Sequence, residues 1–523
     1  MAMIDEPLKK IYRLQENSYY SREDLSRLIN CSLEDISAFI KYMKEKEVCN
    51  SDLKGQVSFR YVGMVEFSIA RSSKIERRIV FIEPKFIPNN RKNIEITGMD
   101  DVQKIILRAI LKYRKAQQVS LFSNGRIVSY EGCSTKLSTY LALIIDVMEK
   151  GAYQVPKVEL VVNGQGDTDW NETFATVNPF FLDDRPCYVN MVNREIGYDD
   201  DTFISRLQMC LATKCFEYFE DIGIAEALGL FLDTSYDGEL SDFGSLSYQK
   251  YRISNELRTQ FEDDKKLTLM LMLAVVENKP YGSDNLDYQS FGISGFHALW
   301  EKAIKEVFCD ELDMCPDQVF NEQEIDKLYE LRSRDKLFRE KLKKPLKEFI
   351  DAPRWKKPNS TKEIVAVLKR DKGGESDRLK PDFLAVLHKE NRASTLVILD
   401  AKYYCPGFSG SSIEGVPGVG DINKQVLYQV AYADITRTCG LNVHNAFIFP
   451  KWCENWNMVD EIDSNLFATV SVPSFGTIIN EKIPEFYTYE IDGLALLRRY
   501  VYNKNDNNHN DLMKIFEGEN LSS

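Results

Sequence analysis

Two short β-like runs on either side of a turn constrain this chain more than any other feature, because of the charges at their ends. PDFLAVLHK (381–389) opens with Pro381-Asp382, and TLVILDAKYY (395–404) carries Asp400-Ala401-Lys402 near its close. Residues i and i+2 of a strand share a face, so Asp400 and Lys402 are expected side by side. A turn at 389–393 allows antiparallel pairing, which carries Asp382 across to Asp400, 18 residues further on. Two carboxylates and a backbone carbonyl, here that of Ala401, make a hard oxygen site suited to Mg²⁺, with Mn²⁺ as a substitute. Such a cation polarises a phosphate ester and lowers the pKa of a bound water. An ammonium beside it, from Lys402, orients that water and offsets charge in the transition state. The plain alternative is an ion pair between Asp400 and Lys402 at a strand end.

The surroundings extend the pattern. EIVAVLKR (363–370) reads as a further strand, Ile422–Arg437 as a helix and Asn445–Pro450 as another strand. On that helix Gln425, Tyr428, Gln429 and Tyr432 follow the i, i+3, i+4, i+7 rule. They form a stripe expected to face the site, with Val426, Leu427 and Val430 towards the core. Segment 296–308 places Phe296, Leu299, Trp300, Ala303, Ile304 and Val307 at helical spacing, with Glu301 and Glu306 flanking the apolar face.

Other features read as decoys. Glu83-Pro84-Lys85 is also an E-x-K, but Pro84 interrupts the strand and no Pro-Asp lies about twenty residues upstream. It reads as a sheet-edge feature. The loop GFSGSSIEGVPGVGD (407–421) has glycines at P-loop separation, yet Asp421 stands where the lysine must be, so no NTP is expected on this chain. A mobile flap is the better reading. None of His297, His388, His444 and His509 sits in a metal-binding or HNH-like arrangement.

The 523 residues exceed one hydrophobic core and call for several domains. The first 50 residues read as three short helices, with Ser21/Asp24 and Ser32/Asp35 resembling helix-start boxes, in a winged-helix-like division at 1–56. With the strand-like runs Val57–Ala70 and Ile75–Phe86 behind them they resemble a winged helix. The divisions expected are these helices, a mixed β/α region at 57–235, a helical connector at 236–285, the site-bearing domain at 286–500 and a disordered polar tail at 501–523. Helices are expected at Asp101–Lys115, Ser138–Lys150 and, as one long stretch, Phe203–Phe231. The overall class is thus multi-domain α/β (α+β).

The net charge of −13 speaks against a uniformly basic binding surface. From Lys336 to Lys380, however, 15 Lys or Arg face 7 Asp or Glu, a local excess suited to phosphate contact or to a solvated linker. No apolar run approaches membrane-spanning length and the first residues are charged. Eleven cysteines without a CxxC pair point to reduced thiols, hence to cytoplasm.

IVFIEPKF, NGQGDTDWNET, FHALWEKAIKEVF, PDFL, ILDAKYY and DINKQVLYQVAYAD occur in that order. Together they resemble the LlaJI type of restriction endonuclease, which is similar to the McrC nuclease subunit of McrBC-type systems. The resemblance covers roughly 57–450 and is most specific from Pro381 to Ala433. It implies a PD-(D/E)xK restriction-endonuclease-like core in which Glu301 joins Asp382, Asp400 and Lys402, with Gln425 and Gln429 in support. It also implies a subunit of a bacterial restriction, anti-phage system that cuts double-stranded DNA with an AAA+ NTPase partner, which often uses GTP. Self-association stays open. Competing readings are a repair or defence nuclease that acts without a partner, and a non-catalytic DNA-binding or scaffold subunit.

Overall fold

The computed structural model describes residues 11–71, 74–88, 99–122, 136–277, 288–332, 342–350, 354–356, 363–365, 379–388, 393–410, 412–455, 462–472, 485–502 and 509–517. The fold is mixed α and β, with two principal sheets.

The N-terminal sheet has four strands. Ile11–Gln15 lies parallel to Lys74–Glu83, which pairs with Val62–Arg71, which pairs with Tyr288–Ile293. Alternation gives this sheet two buried faces. Val65, Phe67, Val80 and Ile82 pack on helices Arg22–Ile29 and Leu33–Glu45, while Val62, Met64, Ile79 and Phe81 face the large central core. Gly63 sits opposite Gly292 with φ +138°, and a Cβ there would lie 2.4 Å from the Cα of Gly292, so the two strands meet at a point only glycine permits.

Both helix-start boxes are formed. Ser21 and Ser32 accept from the backbone N–H of Asp24 and Asp35, whose carboxylates accept in return. Three helices are not what precedes residue 50, however. Among the described residues Ile11–Gln15 and Tyr19–Tyr20 are strands, because IYRLQ alternates with period two and its inward residues Tyr12 and Leu14 enter the core under the two helices.

Helices Asp101–Phe122 and Lys136–Lys150 follow as expected, whereas the 203–231 stretch divides into Phe203–Asp221 and Ala225–Leu228. Gly223, at φ +71°, and the 3.2 Å turn bond from the N–H of Ile222 to the carbonyl of Tyr218 mark the break. Strands Val155–Val162, Val192–Asp199 and Asp167–Thr168 make a small sheet with helix Trp170–Thr176 beside it, and most of its side chains are exposed.

The C-terminal sheet has five strands in the order Phe383–Leu387, Thr395–Ala401, Asn442–Lys451, Glu485–Asp492, Ser464–Ser471. The outer pairs are antiparallel and the inner two are parallel. Phe383, Ala385, Leu387, Val397, Leu399 and Ala401 face the central core with helices Phe296–Val307 and Gly493–Tyr502. Leu384, Val386, Leu396 and Ile398 face a second core with Tyr428, Tyr432 and Ile435.

Of the segment 363–370 the described residues include strand Glu363–Val365, paired with Arg354–Lys356; most of the basic tract 336–380 lies outside them. The polar tail also departs from expectation. Asn510–Glu517 is a helix whose Leu512, Ile515 and Phe516 are buried, an i, i+3, i+4 triplet hidden among asparagines and charges. Residues 503–508 and 518–523 of that tail lie outside the described residues. Among the described residues no helix is long and apolar enough to cross a membrane, and no disulfide joins the described cysteines.

Candidate active site

The antiparallel register sets the site. Phe383 pairs with Leu399 and Leu384 with Ile398, so the residue one step before Phe383 stands across from Asp400. That residue is Asp382. Its Oδ2 accepts the backbone N–H of Ala401 at 3.0 Å, which pins the carboxylate to the neighbouring strand end. Asp400 is almost fully buried. Lys402 reaches Oδ1 of Asp400 at 3.0 Å and Oδ1 of Asp421 at 3.2 Å. The strand therefore places Asp400 and Lys402 together, and their ion pair, the plain reading of the motif, is also present.

The electrostatics follow from crowding. Burial, then the shared hydrogen bond and charge of Asp400, then Glu301, push the Asp382 carboxyl up to about 8, against a smaller pull from Lys402. Burial works against the Lys402 ammonium, yet Asp400 and Asp421 hold its pKa above the ordinary lysine value. Burial, with the carboxylates of Asp400, Asp382, Asp421 and Glu301 behind it, raises the Tyr428 hydroxyl.

Glu301 and Glu306 separate in space. Glu301 lines the same cleft as Asp382 and is held by Lys305 at 2.7 Å. Glu306 pairs instead with Lys112 at 3.0 Å and Lys302 at 3.2 Å. His297 also lines the cleft, at the start of the Glu301 helix, where Gly295 at φ +82° is the N-cap residue.

The stripe on the following helix lies inward. Gln425, Tyr428 and Tyr432 are buried, and Gln429 is half-buried. The Gln425 amide has no hydrogen-bond partner for either polar atom, while Gln429 Oε1 accepts from Asn445 at 3.5 Å. The expectation that Val426, Leu427 and Val430 all face the core needs correction: Val426 is buried, but Leu427 and Val430 are exposed. The helix is Val419–Ala431, followed by Ala433–Cys439. The two tyrosines fill the space over Ile398 and Leu396, and the Tyr432 hydroxyl donates to the carbonyl of Leu346 at 3.0 Å.

The cleft, about 650 Å³, has a second wall that the sequence did not announce. Glu16, Asn17, Glu47, Arg60 and Lys85 come from the N-terminal part of the chain and face Glu301, Asp382, Ala401 and Lys402. Glu83-Pro84-Lys85 is thus not at a sheet edge. Its strand runs inside the sheet, between Ile11–Gln15 and Val62–Arg71, and the chain leaves it at Pro84 so that Lys85 enters the cleft. Asp421, set aside as a P-loop failure, is the other missed residue. The only signal for either was a charge beside a strand or helix end, which is common everywhere.

The divalent cation implied by the resemblance suits this donor set. Burial and the neighbouring Asp400 both disfavour the ionised form of Asp382, a cost that a bound cation would relieve. Among the described residues no three acidic, histidine or cysteine side chains already gather as ligands, and Glu301 is paired with Lys305.

Comparison with known proteins agrees with the sequence resemblance. The family model for the LlaJI restriction endonuclease matches residues 61–327 and 318–479. The chain is 26% identical over 449 residues to the Type II restriction enzyme BsuMI component YdjA of Bacillus subtilis (strain 168), covering 83% of this chain and 80% of the relative.

Proposed function

Because the chain belongs to the LlaJI restriction endonuclease family, we propose that it is the DNA-cutting subunit of a bacterial restriction system. The observation that carries this reading is the register that sets Asp382 opposite Asp400, with Lys402 3.0 Å from Asp400. On this reading the five-stranded sheet is a PD-(D/E)xK core, and the N-terminal helices with their small sheet are a winged-helix-like module. The relative's description as a component supports action within an assembly; an AAA+ NTPase, in a cytoplasmic, McrBC-like arrangement, is the partner proposed.

Asp382, Asp400 and the Ala401 carbonyl are the groups that would hold Mg²⁺, with Glu301 joining once it leaves Lys305. The cation supplies Lewis-acid polarisation of the phosphate and a more acidic water. The chain's own residues do the rest. Asp400 and Asp421 keep Lys402 charged and fixed, so its ammonium meets the extra negative charge of a phosphoryl transition state without reorganising. Tyr428, buried beside the carboxylates, closes that side of the site to bulk water.

The test is cleavage of double-stranded DNA by the assembled system carrying Asp400→Asn or Lys402→Ala, with DNA binding measured in parallel. Loss of cutting by at least about a thousandfold with binding retained is expected. Cutting at the wild-type rate by Asp400→Asn would remove the nuclease reading.

A further inference from the structure

We infer that Lys85 and Arg60, two cations from the N-terminal part of the chain, form the phosphate-holding wall of the nuclease cleft. The inference rests on the reading of the opposite wall as a nuclease centre. It starts from a charge conflict. The cleft is lined by four carboxylates, Glu16, Glu47, Glu301 and Asp382, and by three cations, Arg60, Lys85 and Lys402. A polyanion brought to that surface is repelled unless cations at the wall are free to meet it. Lys402 is committed to Asp400 and Asp421, at 3.0 and 3.2 Å. Arg60 and Lys85 have no carboxylate within ion-pair distance among the described residues, the Arg60 guanidinium donating instead to the neutral amide oxygen of Asn50 at 2.8 and 3.2 Å, and both line the cleft that holds the acidic centre.

Lys85 is also held in place. Its ammonium lies 4.5 Å from the ring centre of Tyr403 and 5.8 Å from that of Tyr404, the two residues that follow Lys402. Its backbone N–H donates to the Tyr403 hydroxyl at 3.1 Å, and that hydroxyl donates to the Glu16 carboxylate at 2.6 Å. Glu16 and Tyr403 are both buried, so this junction is a fixed joint between the N-terminal sheet and the strand end carrying Asp400 and Lys402. A cation fixed over aromatic rings has little side-chain entropy left to lose when it meets a phosphate. Phosphates are the ligand this chemistry selects, because a lysine ammonium is a point charge that meets the backbone of any sequence.

The experiment measures binding of a short duplex to the full chain in an Asp400→Asn background, across a range of salt. Lys85→Gln keeps the aliphatic stem over Tyr403 and removes the charge. It is expected to weaken binding about tenfold at moderate salt and to flatten the plot of log affinity against log salt by about one. Lys85→Arg is expected to restore both. Arg60→Gln is expected to flatten the slope by a similar amount, and it decides the matter if Lys85→Gln does not fold. Wild-type affinity and an unchanged slope in the folded variants overturn the inference. The two readings fail separately: cutting by Asp400→Asn sinks the nuclease assignment, whereas an inert Asp400→Asn with unchanged slopes sinks only the phosphate wall.

Discussion

Replacing Asp382 with asparagine should make the metal-free protein more stable while ending its activity, and the gain should depend on pH in a calculable way. The Asp382 carboxyl is raised to about 8 from an ordinary 3.8, by burial and by Asp400. A group whose folded pKa is raised contributes stability that is fully present below the unfolded value and is lost as pH rises through the folded value. Each pH unit between the two is worth about 1.4 kcal/mol, so at pH 7 the ceiling is roughly 4 kcal/mol. Water in the cleft relieves part of this, and about 2 kcal/mol is the expected effect. Asparagine keeps an oxygen to accept the Ala401 N–H and offers an N–H to Asp400. It does not titrate, so the other raised carboxyls, such as Glu311 and Asp492, cancel in the comparison. Thermal melts of both proteins in chelator from pH 5 to pH 8 are the assay. The variant should melt several degrees higher at pH 8, with the gap shrunk to about a third at pH 5, and Mg²⁺ should stabilise the wild type alone. A variant that melts lower at every pH, or a gap that does not change with pH, would refute the account of a carboxylate cluster short of a cation.

Two further outcomes follow from neighbouring contacts. Asp421→Asn removes one of the two carboxylates on Lys402, so cleavage should fall about tenfold, in the range seen for groups that orient catalytic ones. The Lys402 pKa should drop with it, and amine-selective labelling read by mass spectrometry should modify Lys402 faster than in the wild type at the same alkaline pH. Phe516→Ala should cost about 3 kcal/mol in denaturant unfolding, because the ring is buried against His444 at 4.1 Å and Tyr489 at 5.2 Å. A change under about 0.5 kcal/mol would mean that the terminal helix does not hold the sheet.

The legible parts of this chain were those in which one local pattern decides the outcome. The strands Phe383–Leu387 and Thr395–Ala401 follow from short apolar runs bounded by turns, the helix bearing Glu301 from its 3.6-residue periodicity, and the closeness of Asp400 to Lys402 from the two-residue repeat of a strand. The opposition of Asp382 and Asp400 needed only a short turn between two runs. What escaped depends on approach between distant segments. The parallel pairing of Ile11–Gln15 with Lys74–Glu83 joins residues more than sixty positions apart and sets Glu16 beside Lys85, where both meet Tyr403. Asp421 gains its meaning only when its helix start folds back over the strand end. The orientation of Leu427 and Val430 was misjudged because tyrosine bulk, not hydropathy alone, decided which face turned inward.

The apolar interior that touches both principal sheets has a consequence for how such chains can diversify. One body of side chains unites Val62 and Phe81 at the front with Leu399 and Ile448 at the back, so halves traded between relatives would each expose a raw greasy face and aggregate. The two sheets are therefore expected to be inherited as a unit. The small sheet at 155–199, which shares little of that interior, is the piece that can change without disturbing it.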